Sequence, residues 1–177
     1  MLCVLVACAC SSALAAERIA LEGSQATVEV PDGWKRMSVG SSEPFALFYL
    51  CSEGVEPQPN GACTVRAEFN VEQLIGDRMP QSLDARFGEW TKNDASDHRV
   101  SAPTHFPLAG NEAIEVVTKG QHSSHIRKLV YFDTVVVRTA DAYFACNLIV
   151  DPPDYMALQG IARSICGSLQ LTNANPR

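Results

Sequence analysis

Basic residues are few in this 177-residue chain and nowhere cluster. Lys and Arg number 14 against 20 Asp and Glu, and the largest basic groups are the pairs Lys35-Arg36 and Arg127-Lys128. Binding nucleic acid through its phosphates needs a basic face, so that role is set aside. Long apolar runs are also missing. The segment Leu2–Cys10 is apolar and uncharged but too short to cross a bilayer. There is no Gly-x-Ser-x-Gly elbow, which argues against a serine hydrolase, and no glycine-rich phosphate loop. No Cys-x-x-Cys spacing favours zinc. Repeats, linkers and low-complexity tracts are absent, and the length suits one core and one domain.

What is present begins with an export signal. Leu2–Cys10 is followed by Ala13-Leu14-Ala15, small residues where signal peptidase reads, and charge starts at Glu17. Residues 1–16 are therefore expected to be a signal peptide, cleaved after Ala15 or Ala16. No Lys or Arg precedes the apolar run; a start upstream of Met1 would supply one. A second reading stays open. Leu5-Val6-Ala7-Cys8 resembles a lipobox, in which Cys8 would be acylated and the chain tethered to a membrane.

Cleavage removes Cys3, Cys8 and Cys10 and leaves Cys51, Cys63, Cys146 and Cys166. An even set in an exported chain reads as two disulfides. Three pairings exist; the sequence-local one, Cys51–Cys63 and Cys146–Cys166, is expected. Each bridge would contribute about 3 kcal/mol on the chain-entropy account. A catalytic thiol fits poorly, because an oxidising compartment consumes it.

Alternation at 27–30 predicts a strand, Pro31-Asp32-Gly33 a turn, and Trp34 the start of the return strand. Strands are predicted at 45–50 and from Cys63, with residues 52–62 as the loop between them, pinned at its neck by Cys51–Cys63. Helical spacing over 72–94 puts Leu83, Phe87 and Trp90 on one stripe, with Pro80 in a first turn. Strands follow at 98–106, 112–119, 125–138 (with a break near Asp133-Thr134) and 143–150. A loop is expected at 119–125 and a turn at 139–142. Asp151, Pro152 and Pro153 open a second helix carrying Tyr155, Leu158, Ile161, Ala162 and Ile165. Gly160 reads as a packing residue of that helix and Gly167 as its stop. Residues 168–171 close with a short strand. One domain spans 17–172, and 173–177 is a frayed tail. The expected class is α+β: an antiparallel sheet of about six to seven strands covered by two helices.

Few residues point to chemistry. His122-Ser123-Ser124-His125 is the most tempting group, but it falls in a loop and lacks a fixed carboxylate partner. It reads as a polar loop suited to partner contact rather than a metal site. Glu112 and Glu115 read as the solvated side of a strand, and no acid pair is recognisable as a glycosidase cleft. No catalytic residue, metal or cofactor is expected.

Three stretches carry a resemblance: "VEVPDGWK" (28–35), "LAGNEAIEVV" (108–117) and "DYMALQGIARSICGSLQL" (154–171). With the order of elements, they resemble the fold shared by the photosystem II PsbP protein, the Ran-binding Mog proteins and the envelope lipoprotein DcrB. The resemblance implies an α/β/α sandwich that serves as a non-enzymatic binding module, with no catalytic residues to carry over. Among such folds are assembly factors, adaptors and small periplasmic proteins that accompany secreted toxins. Export, disulfides and acidic charge then point to a periplasmic immunity protein occluding a toxin delivered by a type VI-like system. Its contact residues would be Glu53 and Glu56 in the first loop and His122, Ser123, Ser124 and His125 in the second. The alternative is a DcrB-like envelope lipoprotein or assembly factor held by Cys8. A small enzyme using zinc on His122 and His125 ranks last.

Overall fold

The computed structural model describes residues 16–37, 45–52, 63–74, 82–91, 98–121, 129–140 and 142–171. Eleven strands and three short helices follow in the order β1 (Ala16–Ala20), β2 (Ala26–Pro31), β3 (Trp34–Met37), β4 (Phe45–Cys51), β5 (Val65–Leu74), α1 (Leu83–Thr91), β6 (His98–Arg99), β7 (Thr104–Leu108), β8 (Asn111–Gln121), β9 (Leu129–Arg138), β10 (Tyr143–Val150), α2 (Pro152–Leu158), α3 (Ile161–Gly167) and β11 (Gln170–Leu171). Every pairing is antiparallel.

The large sheet runs β3-β4-β5-β10-β9-β8-β6, and β7 also pairs with β8. Strands β6 and β7 share one side of β8 end to end, β6 opposite Thr118 and Lys119 and β7 opposite Asn111–Glu115. Strand β10 sits in the middle, and all its residues but Asn147 are buried. That explains why its sequence is a continuous apolar run rather than an alternation.

Alternation sorts the two faces. Ala67, Phe69 and Val71 of β5, Val135 and Val137 of β9, and Phe144, Cys146 and Leu148 of β10 share one core cluster. Packed into it are Ala162, Ile165 and Cys166 of α3 and Leu21, Ala26, Val28 and Val30 around β2. Strands β1, β2 and β11 form a separate three-stranded sheet, which therefore shares this face with α3. On the opposite face Leu83 and Phe87 of α1 meet Ile114, Val116, Val136, Tyr143 and Ala145.

Several expectations are corrected. Trp34 does not return along β2: the turn at Asp32-Gly33, with Gly33 at φ 90°, passes the chain to the other sheet, where β3 pairs with β4. Residues 72–74 belong to β5 rather than to the first helix, which the structure shows from Leu83, with Ser82 Oγ accepting the Ala85 N–H. The strand at 98–106 is two short ones, and 119–121 continue β8 rather than opening a loop. Strand β9 runs unbroken through Asp133-Thr134, where Thr134 Oγ1 donates to Asn147 Oδ1 at 2.8 Å on the neighbouring strand. The last helix is two helices, broken where Gly160 adopts φ 85°. Among the described residues helices number three rather than two, and the strands exceed the predicted six to seven through the split β6 and β7 and the small second sheet that includes β1.

Both cysteine pairs lie at disulfide distance in the sequence-local pairing. Cα atoms are 5.6 Å apart for Cys51–Cys63 and 5.9 Å for Cys146–Cys166. The first closes the β4–β5 hairpin, where the Ser52 N–H also donates to the Thr64 carbonyl. The second fixes α3 to the central strand.

Candidate functional site

Strand register places Glu115 and Asp133 together. Glu115 pairs with Val135 and Val117 with Asp133, so the carboxyls are diagonal neighbours on the face that α3 covers. Arg163 of α3 reaches down to this pair. Its Nε donates to Glu115 Oε1 at 2.6 Å and a terminal nitrogen donates to Oε2, a fork-on-fork pair. The guanidinium also lies over the Phe106 ring, 4.4 Å from its centroid. The Glu115 side chain is only 11% exposed.

Asp133 is buried, at 2% exposure, and its Oδ1 has no hydrogen-bond partner. The carboxyl shares a recess with Gly160, at the corner between α2 and α3, and with the Glu115 side chain. Burial first, and the Glu115 charge second, push the Asp133 carboxyl up to about 7. Tyr155 of α2 stacks on Tyr131 of β9 with centroids 4.5 Å apart. Burial and the neighbouring acids push its phenol up to about 12. The Glu115 hydrogen bond raises the Arg163 guanidinium further. Together Glu115, Val117, Asp133, Tyr155, Gln159, Gly160 and Arg163 line a recess of about 290 Å³.

These residues were not identified from sequence. Glu115 is not on the solvated side with Glu112: residues three apart in a strand face opposite ways, and the Glu112 side chain is 72% exposed. Period-two counting alone would have separated them. Asp133 carries one signal, an acid inside the apolar run "VYFDTVVV", which locally reads as a break.

A second, larger recess, about 670 Å³, lies on the α1 side between Leu83, His105, Pro107, Asn111, Glu112 and Arg138. At its rim His105 Nε2 meets Asp84 Oδ1 at 2.9 Å, with both side chains more than half exposed.

Glu53, Glu56, His122, Ser123, Ser124, His125 and Cys8 lie outside the described residues. Strand ends still fix where the chain leaves and re-enters the sheet on either side of the two expected loops. Cys51 opposes Val65, Ala67 opposes Val150, Val150 opposes Tyr131, and Leu129 opposes Gln121. The strand ends that flank 53–62 and those that flank 122–128 thus lie at the same end of the large sheet. Strands β5 and β9 are two spacings apart there, about 10 Å. Leu129 and Met156 are exposed near that end. Among the described residues no three His, Cys, Asp or Glu converge as a metal-ligand set, and no helix is long and apolar enough to cross a membrane.

No protein-family model matches the chain, and no curated protein matches it. Solved structures do. The Ran-binding protein Mog1p of Saccharomyces cerevisiae aligns with TM-score 0.61 and 12% identity, over 90% of this chain and 97% of that one. The cyanobacterial PsbP, CyanoP, of Synechocystis sp. PCC 6803 aligns with TM-score 0.56 and 10% identity, over 94% and 98%. LpqN of Mycobacterium tuberculosis, involved in cell envelope biogenesis, aligns with TM-score 0.50 and 18% identity, over 90% and 91%. The chain has the PsbP/Mog-like α+β fold.

Proposed function

We propose that this chain is a non-catalytic, exported binding protein, and that its partner is a secreted toxin whose active cleft it covers. The observation that carries the reading is that the strand ends flanking 53–62 and 122–128 lie at one end of the sheet, with Cys51–Cys63 joining the first pair of ends. A cross-linked neck reduces the ordering entropy lost on binding. Glu53 and Glu56 would meet basic groups of the toxin cleft, and His122, Ser123, Ser124 and His125 would widen the contact. The likeness to Mog1p, a Ran-binding protein, and the paired cysteines support a binding role in an oxidising compartment such as the periplasm.

The test pairs the chain with the product of the adjacent gene, both directed to the periplasm. Protection from growth arrest, lost when Glu53→Lys and Glu56→Lys are combined in a protein that still folds, is the expected result. Growth arrest unchanged by the wild-type chain, with no complex on size-exclusion chromatography, would sink the reading.

A second reading is favoured by the Leu5-Val6-Ala7-Cys8 stretch and by the likeness to LpqN. In it the chain is an envelope lipoprotein or assembly factor anchored through Cys8. Mass spectrometry of the mature N-terminus separates the two: an acylated Cys8 supports the anchor, a free Ala16 or Glu17 the soluble form.

A further inference from the structure

Asp133 is 2% exposed, and its Oδ1 is enclosed with no hydrogen-bond partner. Two carboxyls and one guanidinium share the recess around it, and the guanidinium is already committed. Arg163 Nε donates to Glu115 Oε1 and a terminal nitrogen donates to Oε2. Both Glu115 oxygens are thus engaged and its charge is balanced, which leaves Asp133 as the unbalanced negative group of the recess. A buried carboxylate oxygen without a donor is costly, and whatever brings a donor recovers that cost. Lys119 does not bring it: on the same sheet face, two residues beyond Val117, it stands over the Tyr131 ring, 5.3 Å from its centroid.

We propose that this recess is a binding site for a primary ammonium group on a short alkyl stem, with Asp133 Oδ1 as its anionic acceptor. The volume, about 290 Å³, suits a stem of a few carbons with its head rather than a larger ligand. Val117 and the Tyr155 ring give the stem an apolar wall. The stack on Tyr131 holds that ring, so the wall is set before the ligand arrives. Gln159 lines the same recess and adds a neutral amide oxygen for a second ammonium proton. It caps α2 with non-helical backbone, φ −54° and ψ 140°, and is exposed. Its side chain therefore turns aside to open the way to Oδ1 without unwinding the helix. A divalent metal fits worse. It needs several oxygens at once, Arg163 occupies those of Glu115, and no three His, Cys, Asp or Glu converge among the described residues. A guanidinium also fits worse, because its planar fork asks for two acceptors side by side, whereas an ammonium is a compact point charge. A partner's lysine side chain and a small free amine both carry this group. The site rests on Asp133 and not on the two loops, so it stands whether or not a toxin binds there.

The experiment is an amide NMR titration of the full chain at pH 8, where the Asp133 carboxyl, titrating at about 7, is ionised and alkylamines are still protonated. The probes are n-butylamine, N-acetyl-lysine methylamide, n-butanol and calcium chloride. n-Butylamine is expected to move the amides of 131–135 and 155–163 and to saturate at roughly millimolar concentration, while n-butanol and calcium leave them in place. Capped lysine binding as tightly as n-butylamine upholds the site and assigns it to a polypeptide side chain; n-butylamine binding alone upholds it and assigns it to a free amine. Asp133→Asn should weaken binding by at least about tenfold. Gln159→Arg, an exposed change that brings a competing cation to the mouth, should do the same if the first variant folds poorly. No saturable shift with either amine overturns the site. So does n-butanol binding as well as n-butylamine, calcium moving the same amides, or undiminished affinity in either folded variant.

Discussion

Asp133 lies diagonally across the β8–β9 ladder from Glu115, with Val117 opposite the first and Val135 opposite the second, so both carboxyls face α3. The sign of the resulting pH effect is fixed. The folded carboxyl of Asp133 sits at about 7 against an ordinary 3.8. Between those values the folded chain holds a proton that the unfolded chain has lost, so stability falls as pH rises from 4 to 7 and is level beyond. Asp133→Asn removes the ionisation and keeps a group able to donate to Glu115. It should stabilise the protein at pH 8 by up to about 4 kcal/mol and change little at pH 4. Urea unfolding at the two pH values checks this. A variant less stable than wild type at pH 8 would mean that Asp133 is ionised and well paired.

Arg163 is the group that makes a largely buried Glu115 tolerable. Arg163→Ala leaves that carboxylate without its fork and removes the stacking on Phe106. A loss of about 2 kcal/mol at pH 7 is expected. Arg163→Lys should recover only part of it, because an ammonium offers neither the two-pronged geometry nor the planar stack. A double-mutant cycle with Glu115→Gln measures the coupling, and a coupling near zero would show the pair to be ornamental.

Much of this fold was legible, and the exceptions share a cause. The apolar run Tyr143–Val150 between a turn and two prolines could only be a buried strand, and β10 is central. Both local cysteine pairings followed from hairpin and strand–helix geometry. Trp34 was misread because Asp32-Gly33 specifies a turn but not which strand receives the chain; the choice of β4 over β2 is a matter of tertiary burial, with Trp34 packing edge-on to Phe69. Asp133 was misread because a buried acid looks like a strand breaker unless Glu115, Arg163 and Gly160 are known to surround it. Those neighbours come from β8 and from α3 with its N-cap, and no local pattern announces them.

Gly160 is a case where conformation alone sets the cost of substitution. An added Cβ would touch nothing within 4 Å, yet the backbone sits at φ 85°. Gly160→Ala should therefore cost about 1–2 kcal/mol with no packing change, and Gly160→Asn less, since Asn tolerates the left-handed region. Thermal melts of the two variants give the comparison. Equal and negligible effects would indicate that the α2–α3 corner relaxes to a different turn.

The two disulfides should differ in accessibility, because exchange requires a thiolate to reach a sulfur. Cys146 and Cys166 are 0% and 1% exposed, enclosed between α3 and β10, whereas Cys51 and Cys63 are partly exposed at a hairpin mouth. In dilute dithiothreitol under native conditions Cys51–Cys63 should open first, and Cys146–Cys166 only through unfolding of α3. Each bridge constrains the unfolded chain by about 3 kcal/mol, with loops of 12 and 20 residues. Reduction of the first alone should thus lower stability without loss of the sheet. Timed alkylation followed by peptide mass spectrometry reads the order. Simultaneous labelling of all four cysteines would mean that the hairpin neck and α3 open together as one unit.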